Sequence, residues 1–223
     1  MVKACIFDLD GTLLDTLPTI LHYCNATLNH FGLQPITTDE CRSLCKLPST
    51  EFYTRLLWLG GCPADAARAK APEAEIYDVG AYLTDVNRET GPFPGIKELL
   101  VKLRGCGVKT AVLTNKPQPI AEALIAAQLP GLFDLYIGQS DRFPPKPDPA
   151  SLLYLVDALS GNLENCVYIG DTDVDMQTGK NVGMFTVAAG WGYMSKTGLM
   201  DYAPEAFIEK PEGLLELLAK HNS

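Results

Sequence analysis

Long hydrophobic runs are missing from this 223-residue chain. No segment approaches the roughly 18–20 uninterrupted apolar residues that a membrane-spanning helix needs. The opening Met1-Val2-Lys3-Ala4-Cys5-Ile6-Phe7-Asp8 meets charge too early for a secretory signal, so a soluble, cytoplasmic chain is expected. Positive charge is scarce as well. Eighteen Lys and Arg stand against 27 Asp and Glu, giving a net charge of −9 and a pI near 4.8. No basic cluster is longer than a pair, which argues against nucleic acid and anionic membranes as partners. An anionic ligand must instead meet local positive charge or a metal. The seven cysteines are odd in number, scattered, and without a C-x-x-C pair. Cys41 and Cys45 share a helix spacing, yet no second Cys or His pair completes a zinc site, so reduced and mostly buried thiols are expected. Internal repeats and low-complexity segments are also lacking.

What is present is ordinary globular composition, and its pattern is informative. Apolar runs of three to five residues recur at Ala4–Phe7, Thr110–Leu113, Leu135–Ile137, Cys166–Ile169, Phe185–Ala189 and Ala206–Ile208. None alternates, which suits strands buried on both faces of a parallel sheet. Helical spacing lies between them, as in Ile96, Leu99, Leu100 and Leu103, in Ile120, Ala123, Leu124 and Ala127, and in Leu214, Leu217 and Leu218. Strand–helix alternation predicts a doubly wound, Rossmann-like α/β core.

Between about Thr16 and Glu89 that rhythm breaks. Leu17, Ile20, Leu21, Cys24, Leu28 and Phe31 form an amphipathic stripe, with Thr16 as its expected N-cap and Gly32 as its stop. Further helices are expected over 39–45, 50–59 and 64–84, with Pro48, Gly60-Gly61 and Pro72 as punctuation. The organisation expected is a core of residues 1–15 and 90–223 with an inserted helical unit of residues 16–89. Two short crossings between them make a hinge.

Four strand ends carry the chemistry. In an open parallel sheet, ligands bind beyond the carboxyl ends of the strands. The first strand runs into Asp8-Leu9-Asp10-Gly11-Thr12, where two acids spaced i, i+2 leave the strand together and Gly11 permits a sharp turn. By itself this pattern fits a metal-ligand pair, a catalytic pair or a solvated turn. The second core strand ends in Thr114-Asn115-Lys116, offering a hydroxyl and an amide. Lys146 is framed by prolines in Pro145-Lys146-Pro147-Asp148-Pro149, and the strand 166–169 runs into Gly170-Asp171-Thr172-Asp173-Val174-Asp175. Acids, a hydroxyl and a lysine gathered at one edge of a sheet go beyond chance.

In these four motifs, taken in order, the sequence resembles the haloacid dehalogenase-like superfamily in its phosphatase branch. The match covers essentially the whole core. The helical block resembles, by position and helix content, the C1-type α-helical cap of phosphoglycolate phosphatase and β-phosphoglucomutase relatives. The resemblance implies a Mg²⁺-dependent phosphatase acting on a small phosphorylated metabolite, 2-phosphoglycolate first among the candidates, as a monomer or homodimer. It implies Asp8 as the nucleophile that forms an aspartyl-phosphate, and Asp10 as acid and then base. Thr114, the Asn115 main-chain amide and Lys146 would bind phosphate oxygens. Magnesium would be held by the Asp8 and Asp171 carboxylates and the Asp10 main-chain carbonyl, with Asp175 supporting the metal shell or orienting Lys146. Within Cys41–Pro48, Arg42 and Lys46 are expected to reach the far, anionic end of the substrate from the cap. Asp173 is expected only to face its helix dipole.

Charge couples these parts. Asp8, Asp10, Asp171 and Asp175 would together repel a phosphate dianion, whereas Mg²⁺, Lys146 and a proton on Asp10 bring the site to neutrality. Other outcomes share the core motifs. A phosphomutase passes the phosphoryl group to a sugar, and a pyrophosphatase takes it from diphosphate. A phospho-acceptor signalling module would hold it, but such a module needs no block of helices to exclude water.

Overall fold

The apolar runs fold as strands, as expected; Ala4–Phe7 and Cys166–Ile169 are buried on both faces, whereas the outer runs Leu135–Ile137 and Ala206–Ile208 are only partly buried. In the computed structural model, which describes residues 1–221, the strands are β1 (Ala4–Phe7), β2 (Leu14–Asp15), β3 (Gly91–Pro92), β4 (Lys109–Pro117), β5 (Leu135–Gln139), β6 (Cys166–Gly170), β7 (Phe185–Ala189) and β8 (Ala206–Ile208). The helices are α1 (Leu17–His30), α2 (Thr38–Leu44), α3 (Ser49–Leu59), α4 (Ala64–Thr84), α5 (Ile96–Gly105), α6 (Gln118–Gln128), α7 (Ala150–Leu159), α8 (Asp173–Val182), α9 (Lys196–Met200) and α10 (Gly213–His221). Six strands form one parallel sheet in the order β5-β4-β1-β6-β7-β8.

β1 lies inside the sheet, and its side chains divide between two apolar clusters. Cys5 and Phe7 pack on one face with Leu99, Leu100 and Leu103 of α5, while Ala4 and Ile6 pack on the other with Leu152 and Leu155 of α7. Each large side chain so withdrawn from water contributes about 1.5–3 kcal/mol, and burial on both faces is why these runs show no alternation. Phe7 pairs with Val112 of β4 and Ile169 of β6. β1 stops there, while β6 runs on to Gly170 and β4 to Pro117, so all three reach the same carboxyl end of the sheet, and that end carries the acids.

The chain leaves the core along β2 and returns along β3, which pair antiparallel through Leu14↔Pro92 and Asp15↔Gly91. Between them lie α1 to α4 and no strand, as expected. Buried Leu28, Leu56, Leu57 and Tyr82 of this helical block belong to the same apolar cluster as Phe7, so the block packs directly on the sheet domain. Two local expectations need correction. Pro72 does not interrupt the block. It lies inside the unbroken α4, where Pro72 and Arg68 are both exposed and water can satisfy the carbonyl that the proline leaves unpaired. Thr16 stands at the N-cap position of α1 but makes no side-chain cap, because its hydroxyl is taken by Asp10. None of the helices among the described residues is long and apolar enough to cross a membrane.

Candidate active site

Asp8 is the first residue beyond β1, and its N–H still donates to Ile169 O (2.9 Å), which keeps it level with the end of β6. The chain then turns at Gly11, with φ +81°. Any Cβ at Gly11 would also collide with the Asp171 carboxylate, so both the turn and the close approach require glycine. Asp171 is wholly buried and clamped on both oxygens. Thr12 Oγ1 donates to its Oδ1 (2.7 Å) and the Tyr193 N–H donates to its Oδ2 (2.8 Å).

Lys146 sits opposite, buried among acids. Its Nζ donates to Asp8 Oδ1 (2.8 Å), Asp175 Oδ1 (2.6 Å) and Tyr168 Oη (3.2 Å). The loop that carries it is fastened to the end of β4 by Asn115, whose Nδ2 donates to Lys146 O (3.0 Å) and whose Oδ1 accepts from Lys146 N (2.8 Å). Asp175 is held by the start of α8. Its Oδ2 accepts from Thr172 N (3.0 Å) and Thr172 Oγ1 (2.6 Å), closing a capping box. The Tyr168 hydroxyl donates to Asp175 Oδ1 (2.8 Å). Asp175 thus aims Lys146 at Asp8, and Asn115 fixes the loop below it.

The donor set suits a hard divalent cation. Oxygens of Asp8, Asp171 and Asp175 lie within 4.8 Å of one another, all three residues are buried, and no other such cluster occurs among the described residues. Burial pushes the Asp8 carboxyl up to about 7, against the pull of Lys146 and helped by Asp175 and Asp10. Burial likewise drives Asp171 well above the carboxylate range, with the charges of Asp8 and Asp175 adding to it. Burial also works against the Lys146 ammonium, but Asp175 and Asp8 outweigh it and hold the group charged well beyond the ordinary lysine range. Three buried acids facing one lysine leave negative charge that a cation would relieve.

A pH dependence follows from these shifts. Asp8 keeps its proton to a higher pH when folded than the 3.8 of an unperturbed aspartate, so between about pH 4 and 7 the folded state binds more protons. Asp8 should therefore make metal-free stability fall as pH rises through that window, and Asp171, also raised, acts in the same direction. Urea midpoints of chelated protein at pH 5.5 and 7.5 check this. Added magnesium should raise the midpoint more at the higher pH, because it binds ionised carboxylates.

Asp10 lies on the other side of Asp8. Its Oδ1 accepts from Thr16 Oγ1 (2.5 Å), and Lys116 Nζ donates to Oδ1 (3.0 Å) and Oδ2 (3.3 Å). Thr16 in turn is bound by Tyr193, whose hydroxyl accepts from Thr16 N (3.0 Å). Asp8, Asp10, Thr114, Asn115, Lys116 and Lys146 line one cavity, and Lys46 borders it from the helical block. Lys46 Nζ reaches across to Asp173 Oδ2 (3.2 Å), whereas Arg42 pairs with Asp39 (2.8 Å) farther out, on the wall of a wider crevice. Asp173 thus makes an ion pair with the helical block besides facing the start of α8. Lys116, Thr12, Tyr168 and Tyr193 were not singled out by sequence reasoning. Lys116 had a signal, since it stands two residues beyond Thr114 and so on the same side of β4. Thr12 closes the Asp8–Thr12 motif, whereas Tyr168 and Tyr193 had no such signal.

Sheet order, acids at its carboxyl edge and a crevice under inserted helices define a Rossmann-like α/β protein with its ligand site at the strand ends. Within that class the chain belongs to the haloacid dehalogenase-like hydrolases, whose family pattern matches residues 5–189. It is 32% identical over 216 residues to a phosphoglycolate phosphatase of Caulobacter vibrioides, covering 95% of this chain and 90% of the relative. It is 34% identical over 213 residues to a phosphoglycolate phosphatase of Rhodobacter capsulatus, covering 92% and 91%. Among solved structures, a chain from Lactobacillus delbrueckii subsp. bulgaricus, provisionally assigned as a phosphoglycolate phosphatase, superposes with a TM-score of 0.87 at 28% identity over 97% of this chain and 98% of that one. The seven cysteines are all free thiols, with Cys106 exposed and Cys45 half-buried.

Proposed function

We propose that the chain is a magnesium-dependent phosphatase that hydrolyses a small phosphorylated metabolite, 2-phosphoglycolate foremost, in the cytoplasm. The observation that carries this is the cavity that Asp8, Asp10 and Lys146 line together, with the buried Asp171 carboxylate within 4.8 Å of that of Asp8. The full-length likeness to phosphoglycolate phosphatases supports the choice of substrate, and seven free thiols suit a reducing compartment. Asp8 and Asp171, with the main-chain carbonyl of Asp10, would hold the magnesium ion. When bound, the ion offsets the carboxylate charge and polarises the phosphoryl oxygens.

The reaction then follows from the positions of the side chains. Asp8 Oδ attacks phosphorus as the ester bond breaks, and Asp10 delivers a proton to the departing oxygen. Water next attacks phosphorus of the acyl phosphate and gives its proton to Asp10, releasing inorganic phosphate and restoring Asp8. Thr114, the Asn115 main-chain amide and Lys146 bind the phosphoryl oxygens, while Asp175 keeps Lys146 in place. Residues 16–89 act as a cap over a core formed by 1–15 and 90–223, excluding water from the phosphoryl group. Lys46 and Arg42 line the mouth and would meet the anionic end of the substrate only by exchanging their ion pairs with Asp173 and Asp39.

The test is phosphate release from 2-phosphoglycolate, a sugar phosphate, pyrophosphate and p-nitrophenyl phosphate, with magnesium and after chelation. Release should be fastest from 2-phosphoglycolate and fall by about 10³-fold or more without metal, since the acids then repel the phosphate dianion. Turnover that survives thorough chelation contradicts the proposal. Faster release from pyrophosphate, or sugar-phosphate isomerisation without release, would reassign the reaction.

A further inference from the structure

Beside Asp10 lies a second cavity, walled by Ile20, Phe52, Tyr53, Tyr82 and Lys116 between the helical block and the end of β4. Asp10 is part of its wall, but Asp8, Lys146 and Asp171 are not. It shares Asp10, Asn115 and Lys116 with the cavity that Asp8 and Lys146 line, so the two adjoin at Asp10. A group leaving phosphorus and taking its proton from Asp10 can extend into that space.

The cavity is apolar apart from a few polar atoms, and these are informative. Lys116 is buried, and its ammonium has three hydrogens of which its hydrogen bonds account for two, both to Asp10. Its Nζ lies 4.9 Å from the centre of the Tyr82 ring. The Tyr82 hydroxyl is buried with no partner at hydrogen-bonding geometry, its polar neighbours Lys116 and Thr90 standing outside that geometry. A buried hydroxyl without a partner is destabilising, and a ligand oxygen would relieve it. Asp78 also faces the cavity, but its carboxylate is already satisfied by Thr27 Oγ1 (3.0 Å) and Tyr53 Oη (2.9 Å). The Lys116 ammonium and the Tyr82 hydroxyl thus keep donor capacity toward the cavity. Size adds a limit. The cavity measures about 60 Å³, which favours a short leaving group.

Resting on the phosphatase reading above, we infer that this cavity is a carboxylate subsite. Lys116 and Tyr82 bind the carboxylate of the leaving group, and the substrate class is phosphate esters of short hydroxy acids. One carboxylate oxygen meets the Lys116 ammonium and the other the Tyr82 hydroxyl. Both act as specificity residues, since the chemistry at phosphorus involves neither.

The experiment compares kcat/KM for 2-phosphoglycolate and for 2-hydroxyethyl phosphate, its uncharged analogue, in wild type, Lys116→Met, Lys116→Arg and Tyr82→Phe. Wild type should favour the carboxylate by about 10²-fold, the discrimination expected when a charge-assisted hydrogen bond is lost. Lys116→Met should lower both values, because Lys116 also touches Asp10, but should shrink their ratio to within about threefold. Lys116→Arg should restore part of that ratio, and Tyr82→Phe should cut it by about tenfold. Equal losses on both substrates in Lys116→Met would make Lys116 a positioning residue for Asp10 and overturn the subsite, as would a wild type indifferent to the carboxylate. If Lys116→Met does not fold, an unchanged ratio in Tyr82→Phe overturns it alone. A wild type that releases phosphate from neither substrate, nor from p-nitrophenyl phosphate with magnesium, overturns the phosphatase reading itself.

Discussion

Asp8→Asn is expected to lower kcat for phosphate release by about 10⁴-fold or more, because a neutral amide of the same shape has no anionic oxygen to attack phosphorus. The same substitution should leave the fold intact. Asp8 is one of three buried acids facing Lys146, and its removal still leaves Lys146 paired with Asp175 at 2.6 Å. Metal-free stability should therefore be unchanged or higher, since one carboxylate pushed up to about 7 by burial no longer has to ionise in the interior. The two effects of opposite sign separate a lost nucleophile from a damaged protein. Phosphate release read beside a urea titration in chelator measures both. Acid-quenched wild type incubated with substrate should carry acid-stable, hydroxylamine-labile phosphate, and the variant none. A variant with kcat within tenfold of wild type would remove Asp8 as nucleophile. Stable phosphoprotein in wild type without turnover would favour signalling over hydrolysis.

The main lines of the fold were legible because burial on both faces leaves a plain mark. The runs Ala4–Phe7, Phe185–Ala189 and Ala206–Ile208 are strands with those bounds. Thr110–Leu113 was read short, since β4 continues through Thr114-Asn115-Lys116-Pro117 and polar residues there look like the end of a strand. They are polar because this is the edge where ligands bind. Pro72 misled for the opposite reason. Its cost depends on whether the freed carbonyl meets water, which depends on packing and not on the residue itself. Asp8, Asp10, Lys146, Asp171 and Asp175 were visible because each follows a strand or stands in a stiff loop.

What was hidden in the site is of another kind. Thr12 and Tyr193 act on Asp171 from 159 and 22 residues away in sequence, and Tyr168 acts on Lys146 from 22. Each lies in a segment whose pattern records only burial or a turn, and no local spacing encodes a partner so distant. Lys116 was overlooked because a lysine at a strand end reads as a solvated charge. Only the helical block packed over it makes it a buried one.

Lys146→Met is the variant in which stability and catalysis should fail together. Among the described residues Lys146 is the one cation that touches both Asp8 and Asp175, and methionine keeps its length without its charge. Breaking a buried ion pair from one side typically costs about 3–5 kcal/mol, because the partner charge stays buried and unpaired. Here Asp8, Asp171 and Asp175 would be left within 4.8 Å of one another, so a loss of about that size is expected at pH 7.5 in chelator. The loss should shrink at pH 5.5, because Asp8, raised by burial and no longer pulled down by Lys146, is more fully protonated there in the folded state and one repulsive charge disappears. Magnesium should restore more stability to the variant than to wild type, as it supplies the charge that methionine removed. Activity should not return with it. A phosphoryl group transferred without a cation on its oxygens loses about 10²–10³-fold in kcat/KM, and metal held by the acids does not occupy the lysine's position. Urea midpoints at the two pH values, each with and without magnesium, read beside kcat/KM, check every part. A metal-free midpoint equal to wild type at pH 7.5 would mean that Lys146 does not balance the acids, and the charge account of the site would fall with it.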